Sequence, residues 1–285
     1  MNPDERRTLK SDFHQQLTEF VGNLLAHVSS DRDQWTIKGF IDVFRNIYTI
    51  SADTKIVSKI LEIHIFPKIL KFAAEHGYYV ILTDHQNYYP DLSFVSIFDN
   101  KIKFAVDFKT TYRLPDNPQY CNGFTLGSHG EYFINRSSKK NIQFPYNEYL
   151  GHFCLGIIYT RTVSEDIDET RIFTIDQLQS IVSVIRDFQF FVCEKWEIAS
   201  DRSGSGNTAN IGSIDNIQDI LTGNGMFKTL GEEVFDDYWM NYGKISTLDD
   251  TGKERKIKTL KDFLEYKGID SSLVNARTRR QRSKS

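Results

Sequence analysis

The first hint of chemistry in the sequence is a pair of acidic residues, Pro90-Asp91 and, sixteen positions on, Asp107-Phe108-Lys109. Asp91 precedes an alternating run, Leu92 to Ile97, and Asp107 lies within a second, Lys101 to Tyr112, with Phe98-Asp99-Asn100 between them. Two such runs around a short polar connection read as a β-hairpin. A three-residue connection pairs residues whose numbers sum to 198, which sets Asp91 opposite Asp107 on one face. Lys109 shares that face, because strand side chains alternate. Two facing carboxylates repel unless a cation lies between them. A hard divalent ion such as Mg²⁺ takes oxygen ligands and keeps several waters, so it suits the position. Lys109 adds a positive charge able to position water and to stabilise a phosphorane-like transition state. Glu62, on the preceding helical segment, is a candidate third carboxylate. Each residue also has a plain reading, since an Asp at a strand start, an Asp-x-Lys on a hairpin and a helix glutamate are common surface features.

A second candidate is Gly204-Ser205-Gly206-Asn207-Thr208, followed by Asn210. Glycines let a backbone approach base edges. Asn can bond an adenine edge through N6 and N7, and a Thr methyl can pack on a thymine methyl. The same residues equally make an ordinary Gly-rich turn.

The elements that must hold these residues are legible in outline. Leu9, Phe13, Leu17, Phe20, Leu24 and Val28 recur at helical spacing, predicting an amphipathic helix at the start of the chain. Trp35 to Ile37 and Ile47 to Ile50 read as short strands around a polar turn. Ser51 is a plausible N-cap for a helix carrying Ile56, Ile60 and Ile63, with Pro67 ending or kinking it. Tyr78 to Leu82 reads as a buried strand. The stretch 113–147 is rich in Pro, Gly, Asn and Ser and is expected to be mostly loop. Tyr149 to Thr162 and Phe188 to Ala199 supply apolar elements, with a shorter helix expected at 175–186. Leu230 to Tyr242 reads as helical. Helices alternating with strands imply an α/β sheet core. There is no internal repeat, so 1–285 reads as one domain.

Composition sets the outer limits. The 285 residues suffice for a sizeable core, and 40% hydrophobic with 26% charged content is ordinary for a globular chain. No run is long and apolar enough for a membrane span, and the polar N-terminus lacks a signal-peptide core, so the expected location is cytoplasmic. Cys121, Cys154 and Cys193 have no metal-type spacing and read as reduced thiols. Net charge is −3, yet residues 275–285 hold five basic groups and no acid, leaving 30 basic against 38 acidic groups, a net −8, elsewhere. A nucleic-acid binder with that balance concentrates its positive charge locally. The tail is either part of that concentration or a solvated end.

Several blocks together carry a family resemblance. They include Asp53-Thr54-Lys55, Glu75-His76-Gly77-Tyr78, Gln86-Asn87, Tyr89-Pro90-Asp91 and Asp107-Phe108-Lys109-Thr110-Thr111-Tyr112. They continue with Phe124-Thr125-Leu126-Gly127, Tyr159-Thr160-Arg161, Gly204 to Thr208, Asn210 to Ile214 and Asp237-Tyr238-Trp239. In this order, from about Ser11 to Tyr242, they resemble the EcoRV-type type II restriction endonucleases. The Pro-Asp and Asp-x-Lys core alone is shared by a broad nuclease superfamily; the blocks together are far more specific.

The resemblance implies a restriction-endonuclease-like α/β fold, a mixed β-sheet core flanked by helices, assembled as a U-shaped homodimer with a DNA cleft. It implies a type II site-specific deoxyribonuclease making Mg²⁺-dependent double-strand cuts in a short palindrome, GATATC with blunt ends, and leaving 5′ phosphates. Asp91 and Asp107 then match the metal-binding aspartates, Glu62 an accessory glutamate and metal ligand, and Lys109 the catalytic lysine. Gln86 and Asn87 match a minor-groove loop, and Gly204, Ser205, Gly206, Asn207, Thr208 and Asn210 the major-groove reading loop. Thr110 and Thr111 fall on the DNA-binding side of the same assignment. Residues 35–50, with the region after 165, correspond to dimerisation, 52–112 to the catalytic core, 200–214 to recognition and 275–285 to a basic tail. Double-stranded DNA, a second copy of the chain and a methyltransferase of the same system, with no direct binding implied, are the expected partners.

The chain departs from the family at His85, Tyr88, Ala209 and Ser128-His129-Gly130, and it is longer at both ends. These differences bear on outer contacts. A repair or junction nuclease would share the metal site without the reading loop. A DNA-binding regulator would keep the fold alone, but paired carboxylates facing phosphate give a pure binder nothing.

Overall fold

Leu92 pairs with Val106 and Phe94 with Phe104, so the hairpin has the register that the spacing requires. The computed structural model describes residues 1–30, 33–83, 85, 87–163, 167–204, 209–248 and 252–274. Strands β3 (Tyr78–Leu82), β4 (Leu92–Ser96) and β5 (Lys103–Leu114) follow helices α1 (Pro3–Gly22), α2 (Leu25–Val28) and α3 (Thr54–Glu75) and the short strands β1 (Gly39–Ile41) and β2 (Ile47–Thr49). Later come β6 (Asn117–Cys121), β7 (Thr125–Ser128), β8 (Gly151–Arg161), β9 (Ile172–Phe173), β10 (Ile185–Glu194), β11 (Ala199–Ser203) and β12 (Asn210–Ser213). The central sheet runs β10-β8-β5-β4-β3, with β6 joined to β5. It is mixed: β5 and β8 are parallel, and the other pairs are antiparallel.

Alternation along β5 and β8 divides the core in two. Phe104, Val106, Phe153, Leu155, Ile157 and Tyr159 face α1 and α3, where Phe13 stacks on Phe104 at 4.1 Å between ring centroids. Ala105, Cys154 and Ile158 face the opposite way, into a cluster with Leu126, Phe133, Tyr146, Ile211 and Trp239. Asp107 and Lys109 are odd-numbered like Ala105, so they share this second face. The layer over it contains the three-stranded sheet β11-β12-β7, helix α4 (Glu131–Ile134), helix α5 (Ile217–Leu221) and helix α6 (Glu232–Asn241). Two strands, β13 (Ser246–Leu248) and β14 (Glu254–Lys256), and helix α7 (Leu260–Lys267) complete the described chain. None of the described helices is long and apolar enough to cross a membrane.

Local chemistry explains the boundaries. Asn2 caps α1 by accepting from Glu5 N–H at 2.8 Å, and Phe13, Leu17 and Val21 form its buried stripe. Ser51 is not the cap of α3. It accepts from Asp53 N–H, and Asp53 in turn accepts from the amides of Lys55 and Ile56. Pro67 does not end α3, which continues to Glu75 because Ile69, Phe72 and Ala73 keep its apolar face buried past the one lost hydrogen bond. The first short strand starts at Gly39, not Trp35. Trp35 is fully buried, and its N–H bonds to Ile185 C=O, so it anchors the chain before the hairpin.

One expectation holds only in part and another fails, both because of partners distant in the sequence. The stretch 113–147 is loop over more than half of its length, as its composition suggests, but it also contains β6, β7 and α4. Its β7 pairs with the distant β12, Gly212 opposite Thr125, and local composition carries no sign of that partner. The helix expected at 175–186 is a short 3₁₀ turn at Ile175–Ser180, begun by a Thr174–Gln177 capping box. From Ile185 the chain joins the sheet against β8. The three cysteines are unpaired thiols, all buried.

Candidate active site

The hairpin of β4 and β5 opens at Asp91, and there the two aspartates bracket each other. Asp91 N–H donates to Asp107 Oδ1 at 3.1 Å, and Phe108 N–H donates to Asp91 Oδ2 at 2.8 Å. Lys109 Nζ lies 2.9 Å from Asp107 Oδ2, with side-chain exposures of 15% and 8% for the lysine and aspartate. Burial strips water from all three groups, so their mutual charge matters more than it would at the surface.

Burial and the neighbouring Asp107 push the Asp91 carboxyl up to about 6, against the pull of Lys109 and of the Phe108 amide. Burial opposes the charge on Lys109, but Asp107 and Asp91 outweigh it and hold the amine above the usual lysine range. The site is a carboxylate pair half-neutralised by one lysine, an arrangement with room for a further positive charge.

A stability consequence follows. Between the ordinary aspartate value of 3.8 and about 6 the folded protein holds a proton at Asp91 that the unfolded chain has released. Metal-free stability therefore falls as pH rises through that window, and the penalty is fully present above it. Asp91→Asn is expected to melt higher than the wild-type protein at pH 8 in chelator, and the difference should vanish below pH 4. Thermal melts across that range check it.

The other sequence candidates are placed as follows. Glu62 is paired with Lys59 at 2.7 Å and reaches the site only through its charge on Asp91. Among the described residues no group of three or more His, Cys, Asp or Glu side chains gathers at metal-binding spacing. Thr110 alternates onto the face opposite Lys109. Thr111 is 2% exposed and donates its hydroxyl to Asn122 C=O, so its side chain braces β5 from within. Asn87 is exposed, and Asn210 is half-buried at the start of β12. Gly204 closes the base of the β11–β12 connection, donating to Asn210 C=O at 2.8 Å. A Cβ there would meet Thr125 Cγ2 at 2.5 Å, so its need for glycine comes from packing against β7. Gln86, Ser205, Gly206, Asn207, Thr208 and the tail 275–285 lie outside the described residues.

Sequence reasoning passed over the aromatic layer behind the site. Tyr89, directly before Pro90-Asp91, bonds through its hydroxyl to His152 Nδ1 at 2.9 Å, and Tyr146 stacks on His152 with centroids 3.7 Å apart. Burial, helped by Lys195 and Arg136, holds the His152 ring well below its usual range and hence neutral. Lys195 is buried in the same layer. Its neighbours Glu194 and Glu197 make the segment read as an ordinary charged turn, so the sequence carried no local signal of a buried lysine.

A mixed sheet flanked by helices, delivering two aspartates and a lysine at the mouth of one hairpin, is the scaffold of the restriction-endonuclease class of hydrolases, which act on DNA. The family model described as "Restriction endonuclease EcoRV" matches residues 31–268. The chain is 35% identical over 227 residues to the type II restriction enzyme EcoRV of Escherichia coli, covering 79% of this chain and 90% of that protein. The chain belongs to the EcoRV family of type II restriction endonucleases.

Proposed function

We propose that two copies of this chain assemble around duplex DNA and make a Mg²⁺-dependent cut in each strand of GATATC, leaving blunt ends with 5′ phosphates. The observation that carries the reading is the bracketed pair Asp91 and Asp107 with Lys109 beside it. The donor set fits magnesium. Two hard carboxylates, with Asp91 raised by burial and then by Asp107, invite a divalent ion, and water would complete its shell. Bound there, the ion would draw charge from the phosphoryl oxygens and activate water. Asp91 and Asp107 would hold that ion, with Glu62 in reach by its charge. Lys109 donates to a non-bridging oxygen as negative charge builds in the transition state. Water attacks phosphorus in line, the bond to the 3′ oxygen breaks, and the 3′ oxygen takes a proton.

A two-fold protein dimer matches a palindrome. The 35–50 segment supports such an assembly: β1, β2 and β9 form one small sheet, and Val43 and Phe44 at its tip are 90% and 82% exposed. Exposed apolar side chains of that size mark a binding surface. Replacing both with Asp is expected to give a monomer by sedimentation at concentrations where the wild-type protein is dimeric, with double-strand cutting lost. The assembly would form a U-shaped cleft. It would act in the cytoplasm beside a methyltransferase protecting the same site.

Site preference rests on the reading loop, Gly204 to Thr208, with Asn210, and on Gln86 and Asn87 in the minor groove. The tail 275–285 would touch phosphate alone. Asn207→Ala is expected to lose about 1–3 kcal/mol of discrimination between a GATATC duplex and one with a single substituted base pair. Deleting 275–285 should weaken both duplexes equally and flatten the salt dependence. Binding titrations at two salt concentrations check both. An unchanged preference in Asn207→Ala would remove the support for GATATC.

A further inference from the structure

We propose that Lys195 is a positioning residue for hydrolysis, balancing the charge of Asp107 from the protein side so that Lys109 can leave its ion pair and face the attacked phosphate. The proposal rests on the nuclease reading above.

Lys195 is 2% exposed, and its Nζ has no hydrogen-bond partner among the described residues. The rings of Tyr89, Phe133 and Tyr146 surround it at 5.2, 5.2 and 5.8 Å from Nζ to the centroids. Gly127 closes the cage: a Cβ on this residue would lie 3.4 Å from Nζ, and its φ of +90° suits glycine. An ammonium buried against aromatic faces with no hydrogen-bond acceptor is expensive to keep, and natural cores avoid it unless it serves a purpose. Burial lowers its pKa to about 8, and Asp107 is the strongest charge opposing that fall. At neutral pH it remains mostly protonated.

The purpose follows from Lys109. In the structure Lys109 is held on Asp107 at 2.9 Å, so any shift of its ammonium toward phosphate weakens that ion pair. Turning it away leaves Asp107 buried beside Asp91, which is unfavourable unless another cation is near. Lys195 is that cation. Its cage includes Tyr89, one residue before Pro90-Asp91, and Gly127 of β7, which pairs with the strand leaving the reading loop. It is thus held by both the catalytic hairpin and the recognition sheet.

Lys195→Met keeps the volume and removes the charge; Lys195→Arg keeps the charge. In a wild-type background that cuts DNA, Lys195→Met is expected to lower single-turnover kcat about 10- to 100-fold, the range for groups that orient catalytic residues. KM, and DNA affinity in chelator, should stay within about twofold, as expected for sites without a shared partner. The melting temperature should hold or rise, because an unpaired buried charge is gone. Lys195→Arg should recover part of kcat. In a Lys109→Ala background Lys195→Met should add less than about twofold, since the two act through one step. Wild-type kcat in Lys195→Met would overturn the proposal. So would kcat and melting temperature falling together without rescue by Arg, an unfolded Met variant, or full additivity with Lys109→Ala. Failure of the wild-type protein to cut any DNA would instead overturn the nuclease reading.

Discussion

Asp107→Ala and Asp91→Ala should each abolish DNA cleavage, with a loss of at least about 10²- to 10³-fold, the scale for removing one preorganised charge from an active site. Each change deletes an oxygen donor and a negative charge from the place where a divalent ion would sit. The two should part company in stability. Asp107 accepts the Asp91 amide and holds Lys109 at 2.9 Å, so its loss strands a buried lysine and lowers the melting temperature. Asp91 is the destabilised member of the pair, pushed up to about 6, so its loss should leave the melting temperature unchanged or raised in chelator. DNA binding without metal should survive in both, because phosphate then meets one fewer negative group. Single-turnover cleavage and melting curves on the same samples check all of this. Wild-type turnover by either variant would remove the aspartates from the mechanism.

Lys109→Ala should lose about 3 kcal/mol or more of transition-state stabilisation, on the order of 10²-fold in kcat, while remaining a cooperatively folded protein. The structure adds a condition to that expectation. Lys109 is the partner of Asp107, so without it two buried carboxylates face each other. The variant should melt below the wild-type protein in chelator and regain most of the difference when Mg²⁺ is added, because a bound ion neutralises the pair and binding to the folded state stabilises it. Recovery of stability without recovery of activity would separate the lysine's role in catalysis from its role as a counter-charge. A variant that neither folds nor responds to Mg²⁺ would make Lys109 structural.

What could be read in the sequence, and what could not, follows the range of the interactions. The hairpin carrying the site was legible because its register depends on a short local connection, and Asp91 and Asp107 meet across it as their spacing requires. The strands β3, β8 and β10 and the helix α6 showed as apolar patterns for the same local reason. The sheet of β7, β11 and β12 did not show, because Thr125 finds Gly212 across 87 positions and its strands are short. Pro67 reads locally as a helix break, yet tertiary burial of Ile69 and Phe72 carries α3 through it. Lys195 was the least legible. Nothing in Glu194-Lys195-Trp196 says that its ammonium ends among three aromatic rings behind the aspartate pair.

Digestion of plasmid DNA of known sequence, with Mg²⁺ and with chelator, followed by sequencing of the ends, tests the central claim most directly. Discrete fragments that appear only with Mg²⁺, each beginning with a 5′ phosphate at the centre of GATATC, are the result expected. A smear, cutting that follows DNA structure and not sequence, or intact plasmid in Mg²⁺ would contradict it.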